Sequence, residues 1–315
     1  MNKKIIFYFL TALVVLIFKI DSSHSIPTIS KYDENYWTSE KMKKAKPLTT
    51  KNIGFRTRSG VETIKKTTDS SKDTKSMQPL ERKYDAKTGA ATADQVKAIA
   101  VGKLFMSKNG EDFVCTASVI NTDDGNIGVT AAHCLYDHNT QSYFDNVMFS
   151  PGYDNGQPGP LGKIPIAKMV VTNEFLNHND DEFDWGMMLF NFNMQGLPLK
   201  YFTGALGWIF QPGNNVPTTI QGYPDGGNLP NCPNNGRTLC MWQGVTILED
   251  DFYIVHDLNL GEGASGGPLM TNYDPNVNLG LLYSNYASFD DLNDQLLGPI
   301  YDPIEFHALI GELTL

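Results

Sequence analysis

The distribution of apolar residues divides the chain into three parts. From about residue 96 to residue 302, apolar runs of strand length alternate with turn clusters rich in Gly, Pro, Asn and Asp. Many short strands separated by such clusters are typical of barrels and sandwiches. A helix-like run appears only at 304–313, after Asp302 and Pro303, so the sequence predicts an all-β fold with a C-terminal helix. The predicted strands are 96–106, 113–120, 127–132, 164–171, 185–190, 216–223, 241–248, 252–258, 268–271 and 279–283.

The N-terminus has a different apolar pattern. Lys3 and Lys4 precede an apolar run over residues 5–18, which is the length of a signal-peptide core and short for a bilayer span. Ser23 and Ser25 place small residues at alternate positions, so we predict a signal peptide over 1–25. An uncleaved anchor is the alternative. No later run is long and apolar enough to span a membrane, so we expect a secreted protein, extracellular or periplasmic, with no membrane association after signal removal.

Residues 26–93 are rich in Ser, Thr and Lys and carry a net charge of +7, whereas residues 94–315 carry −19. Such a polar segment buries little apolar surface, so the sequence predicts a largely disordered basic leader. Opposite charges attract, and we expect the leader to dock on the acidic globule as a removable pro-segment of a zymogen, acting as an intramolecular inhibitor. A retained solvated tail is the alternative. The acidic globule would repel phosphates, so we expect no nucleic-acid partner.

Residues 261–269 crowd glycines around one serine, Ser265, immediately before an apolar run. Glycines at this density suit a backbone that approaches a ligand closely and exposes its N–H groups. Ser265 can then serve as a nucleophile, and the backbone N–H groups of Gly263 and Ser265 are the expected oxyanion hole. A flexible loop with an incidental serine is the alternative for this stretch alone.

Two further segments complete a possible catalytic set. Residues 129–134 deliver His133 at the end of an apolar run, and Asp184 opens the apolar strand that begins with Trp185. Nucleophile, general base and orienting carboxylate are the three roles that acyl transfer by a serine requires. Asp180, Asp181 and Glu182 are rival carboxylates, but only Asp184 directly precedes the strand.

In these three segments the chain resembles the chymotrypsin-like serine peptidases. More narrowly it is similar to the secreted bacterial glutamyl endopeptidase branch, through residues 221–225, 241–244 and 257–258. The resemblance covers roughly residues 95–313 and implies two antiparallel β-barrels, at about 94–205 and 206–302, followed by a helix over 303–313. It also implies a catalytic domain over 94–315 that hydrolyses protein or peptide substrates through an acyl-enzyme without a cofactor.

The four cysteines, Cys115, Cys134, Cys232 and Cys240, allow three pairings, and their even number behind an export signal favours disulfides. The resemblance implies a bridge between Cys115 and Cys134, which leaves Cys232 and Cys240 to close a small loop. A metal site at Cys134 and His133 is the rival interpretation, but the spacing matches no common zinc pattern, and we expect no metal.

Specificity is where the chain departs from its relatives. Asn259 stands where trypsin-like members carry an acid, so a basic P1 residue (the residue before the cleaved bond) is not supported. Leu260 and Leu282 align with the threonine and histidine of glutamyl members, with Tyr283 beside them in the predicted substrate pocket. Leucines cannot pair with a carboxylate, which favours an apolar P1 residue. The alternatives are a shifted alignment with both leucines in the core, and glutamyl specificity.

The prediction is therefore a serine endopeptidase. Ala264 replaces the aspartate that binds the freed N-terminus in many zymogens of this family, so activation by that ion pair is excluded. A silent binding or adhesion protein on the same fold is the runner-up, although such proteins usually lose a member of the triad. An esterase is the third possibility.

Overall fold

The computed structural model describes residues 26–49, 76–83, 99–249 and 251–315. Its strands form two eight-stranded sheets and one small hairpin, with few helices, which confirms the all-β prediction. None of the helices in the described ranges has the length and apolarity that crossing a bilayer requires. The predicted signal peptide, 1–25, lies outside the described residues.

The leader is more ordered than the sequence indicates. Strand β1 (Thr28–Ile29), helix α1 (Ser39–Lys44) and strand β2 (Lys46–Pro47) pack on the globule. Further along, Met77 and Leu80 form bridges to Trp208 and Ala205. Residues 26–49 and 76–83 of the leader are thus ordered, because scattered apolar side chains such as Trp37 and Met42 anchor this polar segment. Residues 50–75 and 84–98 lie outside the described part.

The first sheet closes into a barrel. Its strands are β3 (Val101–Lys108), β4 (Glu111–Val119), β5 (Ile127–Thr130), β8 (Asp145–Pro151), β9 (Ile164–Val171) and β10 (Gly186–Phe190). The order is β9-β10-β5-β4-β3-β8, and β8 pairs back onto β9. Because the sheet closes on itself, none of these six strands is an edge strand. Strand β8 was not predicted, because its apolar run ends in the turn cluster at 151–156.

Short elements lie between these strands. A 3₁₀ turn (Ala132–Cys134) precedes the hairpin of β6 (Tyr136–Asp137) and β7 (Ser142–Tyr143). After β9 come helix α2 (Asn173–His178) and a 3₁₀ turn (Asp181–Phe183). Helix α2 starts where the Thr172 hydroxyl accepts the Phe175 N–H and ends at Asn179, whose φ is 53°. These caps place the second turn directly before β10.

Helix α3 (Lys200–Thr203) leads into the second sheet. Its strands are β11 (Gly207–Trp208), β12 (Val216–Gly222), β13 (Cys240–Glu249), β14 (Phe252–His256), β15 (Pro268–Asp274), β16 (Leu279–Asn285), β17 (Ser288–Asp290) and β18 (Gln295–Pro299). The order is β11-β16-β15-β12-β13-β14-β18-β17. Strands β16 and β17 lie near opposite ends of this order, yet only two residues separate them in the chain. The two ends of the sheet are therefore close together, and the sheet is strongly curved.

Helix α4 (Pro303–Thr314) lies against the first barrel at β9 and β10. Its cap is Asp302, whose carboxylate accepts the N–H groups of Ile304 and Glu305. Phe306 packs with Trp185 and Trp208 in a buried cluster that joins residues of both sheets. The C-terminal helix thus packs against the strand that follows Asp184 and Trp185.

Candidate active site

His133 and Asp184 form a buried pair in the first barrel. The His133 backbone N–H donates to Asp184 Oδ1 at 2.9 Å, and His133 Nδ1 lies 2.6 Å from Asp184 Oδ2. Both side chains are completely shielded from solvent. Strands β5 and β10 pair with Gly186 opposite Thr130, so the residues that flank these strands are brought together. A carboxylate that accepts from Nδ1 fixes the imidazole tautomer and leaves Nε2 as the base.

The backbone of Asp184 is held from the second sheet. Asn285 Nδ2 donates to the Asp184 carbonyl at 3.2 Å, and the Tyr301 hydroxyl donates to Asn285 Oδ1 at 2.8 Å. Both supporting side chains are buried. Neither Asn285 nor Tyr301 lies in a recognisable sequence motif, so the sequence alone did not identify them as supporting residues.

The rival carboxylates have other roles. Asp180 accepts the Glu182 N–H in the turn before Asp184. Asp181 is buried, and desolvation, with the charges of Asp180 and Asp184, raises its pKa to about 7. Neither occupies the carboxylate position beside His133 Nδ1 that Asp184 fills.

The Ser265 loop is shaped by its glycines. Gly261, Gly263 and Gly266 have φ values of 76°, 79° and 82°, in the region that glycine adopts readily. A Cβ on Gly266 would lie 2.1 Å from Thr130 Oγ1 and 2.8 Å from the Ala131 nitrogen. The chain after Ser265 therefore runs directly against the end of the strand that delivers His133.

Thr116 of strand β4 ties this loop to the first barrel. Its N–H donates to the Ser265 carbonyl at 2.8 Å, and its hydroxyl donates to the Gly263 carbonyl at 3.0 Å. The same hydroxyl accepts the Tyr223 N–H at 3.1 Å. Gly263 also lies close to Tyr223, since a Cβ there would be 2.9 Å from the Tyr223 carbonyl oxygen. The sequence signal for Thr116 is only its position beside Cys115.

Both disulfides are present as the sequence analysis expected. Cys115 is bonded to Cys134 and Cys232 to Cys240. The first bridge joins strand β4 to the turn that carries His133. Its two sulfurs lie within 4.8 Å of a His133 ring nitrogen, but sulfurs bonded to each other are not the thiolates that a zinc site needs.

The predicted pocket residues separate in space. Leu260 is buried in a cluster with Ala264 and Tyr286, whereas Leu282 lies in a different cluster, paired with Trp208 on strand β11. Leu260 and Leu282 thus belong to different clusters, and a pocket lined by both stays a prediction.

The two neighbours of these leucines have structural contacts. Asn259 Oδ1 accepts the Gly261 N–H at 2.7 Å, which braces the turn of the loop. The Tyr283 hydroxyl lies 2.5 Å from Thr218 Oγ1 and 2.8 Å from Thr246 Oγ1, inside the second sheet.

Tyr286 of the second sheet lies beside the Ser265 loop. Its carbonyl accepts the Gly266 N–H at 2.7 Å and its N–H donates to the Gly267 carbonyl at 2.8 Å, so it runs beside the two residues after Ser265. Burial raises the pKa of its phenol, and the negative charges of Glu262 and Asp291 act in the same direction. The surface that Tyr286 forms next to Ser265 is therefore apolar, with the carboxylates of Glu262 and Asp291 nearby.

Comparison with known proteins finds that the chain is similar to several proteases. No family model matches the chain. A glutamyl endopeptidase of Bacillus licheniformis is 22% identical over 151 residues, which are 47% of this chain and 43% of that protein. The chain thus matches less than half the length of this relative.

Solved structures match over more of the chain. A thermostable serine protease, AL20, from an extremophilic microorganism superposes with a TM-score of 0.59 at 23% identity, covering 71% of this chain and all (100%) of that one. Protease Anisep from Arthrobacter nicotinovorans has a TM-score of 0.59 at 20% identity over 70% of this chain and 98% of its own. A Glu endopeptidase has a TM-score of 0.54 at 16% sequence identity, covering 75% of this chain and 100% of its own. The fold is that of these chymotrypsin-like proteases.

Proposed function

We propose that the protein is a secreted serine endopeptidase with His133, Asp184 and Ser265 as its catalytic triad. The observation that carries this proposal is the buried His133–Asp184 pair, with both carboxylate oxygens engaged, beside the glycine loop of Ser265. A buried imidazole with one nitrogen held by a carboxylate is arranged as a general base. The sequence likeness to a glutamyl endopeptidase supports the same reaction class.

The proposed reaction proceeds in two stages. His133 Nε2 removes the Ser265 proton as Oγ attacks the peptide carbonyl carbon, and the oxygen becomes an oxyanion beside the Gly263 and Ser265 N–H groups. The C–N bond then breaks, and His133 returns the proton to the leaving amine. In the second stage His133 activates water, which attacks the acyl-enzyme ester, and Ser265 regains its proton.

For the P1 residue we propose an apolar preference, now resting on Leu260, Ala264 and Tyr286. Leu260 is 3% exposed and Tyr286 4%, so a carboxylate placed against them would lose its hydration. The charges of Glu262 and Asp291, which act on Tyr286, would also repel a glutamate side chain. Glutamyl specificity is the alternative that the relatives favour.

Reaction with a serine-directed fluorescent phosphonate tests the central proposal. Ser265 is 2% exposed and His133 0%, so the full chain should react slowly, and faster after limited trypsin digestion of the lysine-rich leader. Ser265→Ala should abolish labelling, and Ser288→Ala is the matched control outside the triad. Labelling that survives Ser265→Ala, or none in any form, would favour the silent binding protein.

A peptide library with varied P1 residues tests specificity on the reactive form. Cleavage after Leu or Phe should be faster than after Glu, and the opposite ranking overturns the apolar preference. Comparison of ester and peptide hydrolysis separates an esterase from a peptidase. N-terminal sequencing of the secreted protein tests export and the pro-segment together. A mature chain that begins near residue 26 would contradict removal of the leader.

A further inference from the structure

A pocket of about 200 Å³ lies where the two halves of the molecule meet. The first barrel contributes Tyr153 and Asp154, just after β8, and the second sheet contributes Gln221 of β12 and the start of β13. Met241 lines the pocket and is 45% exposed, so the pocket opens to solvent beside it. Because a cavity of about 150 Å³ can hold benzene, this pocket has room for one aromatic ring.

The lining of the pocket is mostly apolar. Tyr153, Tyr223 and Tyr273 contribute to it together with Leu239. The Tyr223 hydroxyl donates to the Tyr153 carbonyl at 2.8 Å, and the Tyr273 hydroxyl donates to Asn278 Oδ1 at 2.8 Å. Since the protons of both hydroxyls are engaged, Tyr223 and Tyr273 offer a ligand ring surface, against which another aromatic ring packs favourably.

One polar side chain of the lining has an unpaired end. Gln221 is 3% exposed, and its Nε2 donates to the Tyr273 hydroxyl at 3.1 Å. Its Oε1 is buried and has no hydrogen-bond partner among the described residues. Because Gln221 lines the pocket, this oxygen is the acceptor that a ligand there would meet. An unpaired buried amide oxygen is costly, so a ligand that donates one hydrogen bond to it gains affinity.

Charges on both sides of the pocket disfavour an ionic ligand. Asp154 is part of the lining, so a carboxylate in the pocket would be repelled. Lys103 Nζ lies 5.0 Å from the centre of the Tyr153 ring, so an ammonium group packed on that ring would meet a like charge. A neutral ligand with one donor avoids both costs.

We propose that this pocket binds a small neutral phenol, whose ring packs among the tyrosines and whose hydroxyl pairs with the Gln221 amide. A phenol suits either orientation of the amide, because its hydroxyl both donates and accepts. The lining includes none of the proposed triad, so the proposal does not rest on the proposed function. The pocket nevertheless adjoins the Ser265 loop, since a Cβ on Gly222 would lie 3.2 Å from the Ala264 Cβ.

Ligand-observed fluorine NMR on the full chain, with matched ring probes, tests this proposal. 4-Fluorophenol should bind with a Kd of about 1 mM, which is reasonable for so small a ligand. 4-Fluorotoluene has nearly the same shape without the hydroxyl, and it should bind about fivefold more weakly because the Gln221 oxygen stays unpaired. 4-Fluorobenzylamine, which carries an ammonium group at pH 7, should also bind more weakly than 4-fluorophenol.

Three variants locate the site. Gln221→Met keeps the length of the side chain and removes the amide, so the preference for 4-fluorophenol over 4-fluorotoluene should fall from about fivefold to about onefold. A merely structural disturbance would weaken both probes together. Gln243→Met, on the neighbouring strand with its amide bonded to Thr219, is the matched control and should keep the preference. Leu239→Trp fills the pocket and should abolish binding of both probes, which decides the matter if Gln221→Met disturbs folding.

Several results would overturn the proposal. They are equal affinity of the wild type for 4-fluorophenol and 4-fluorotoluene, a preference that survives Gln221→Met, tighter binding of 4-fluorobenzylamine, and binding by none of the probes. Binding that persists in Leu239→Trp has the same force, because it places the probes elsewhere. N-acetyltyrosinamide distinguishes the source of the phenol. Weaker binding than 4-fluorophenol supports the proposal with a free phenol as ligand, and tighter binding supports it with a tyrosine side chain.

Discussion

The two halves of the molecule hold the proposed catalytic groups by different means. In the first barrel, side-chain hydrogen bonds between buried groups fix His133 and Asp184. In the second sheet, backbone geometry positions Ser265, because glycines with positive φ let the loop pass against Thr130. An isosteric side-chain change should therefore damage chemistry in the first half and leave the fold intact. In the second half, a single added methyl group should damage the fold.

The largest effect should come from Asp184→Asn in the first half. The amide keeps the volume of the side chain but holds the wrong imidazole tautomer, so kcat should fall by about 10⁴-fold. Melting temperature should change far less than activity. Asp180→Asn is the control, because its carboxylate accepts the Glu182 N–H in the turn before Asp184. Retention of more than a tenth of wild-type activity in Asp184→Asn would contradict the role of the pair.

The next effect should be Gly266→Ala in the second half. The new Cβ would meet Thr130 Oγ1 at 2.1 Å and the Thr116 carbonyl oxygen at 2.3 Å, at a φ of 82°. We expect the free energy of unfolding to drop by about 3 kcal/mol or more, from combined backbone strain and overpacking. Urea denaturation measures this change.

Gly196→Ala is the matched control, since its φ is 78° but no atom lies within 4 Å of the added Cβ. It should lose only about 1–2 kcal/mol, the cost of the left-handed backbone. Equal losses at the two positions would show that Gly266 is needed for its φ alone and not for the close approach.

The two disulfides should separate stability from activity. Replacing both Cys232 and Cys240 by Ser opens a loop with a sequence separation of 8 and should cost about 2–3 kcal/mol with little loss of activity. Replacing Cys115 and Cys134, which lie beside His133, should reduce activity beyond its effect on unfolding. Activity of the folded fraction, measured at low temperature, distinguishes the two cases. If both double substitutions reduced the activity of the folded protein similarly, the proposed difference between the two halves would be wrong.

The smallest effect should be a pH dependence at Asp181. Burial raises its pKa to about 7 from an ordinary value of 3.8, so the native state keeps a proton that the unfolded state releases. Stability should therefore fall as pH rises from about 4 to about 7 and level off above that range. Asp181→Asn should be more stable than wild type by about 1–2 kcal/mol at pH 8 and equal to it near pH 4. Asp123→Asn, at an exposed turn, keeps Asp181 and should therefore retain the pH dependence of the wild type.

The sequence was most informative where chemistry demands particular residue types. His133, Asp184 and Ser265 stand out because a base, a carboxylate and a serine among glycines are rarely interchangeable with other residues, and the structure brings their segments together. The strand pattern predicted most of the sheets for a different reason, since buried strands leave apolar runs of strand length between turn clusters. It missed β18, whose Gly298 and Pro299 resemble a turn signal.

The second-sheet residues beside Ser265 could not be predicted, because they depend on how the strands pair in three dimensions. The hairpin of β15 and β16 shifts register between Thr271 and Asp274, and Tyr286, just past the end of β16, pairs with Gly266 and Gly267. Order in the leader was missed for a related reason. Trp37, Met42 and Leu48 have no helical or strand period, and only the facing surface of the barrel shows that they anchor the segment.

The hydrogen bonds of Thr116 decide at what stage of folding the proposed enzyme could become active. Thr116, in the first barrel, donates hydrogen bonds to the carbonyls of Gly263 and Ser265 and accepts one from the N–H of Tyr223. All three partners belong to the other half. The proposed nucleophile is thus positioned only when the two halves have packed together, so hydrolysis would itself report complete assembly. On the proposal that the protein is secreted, a chain still emerging from the export machinery would be unable to cleave host proteins, even before the leader is considered.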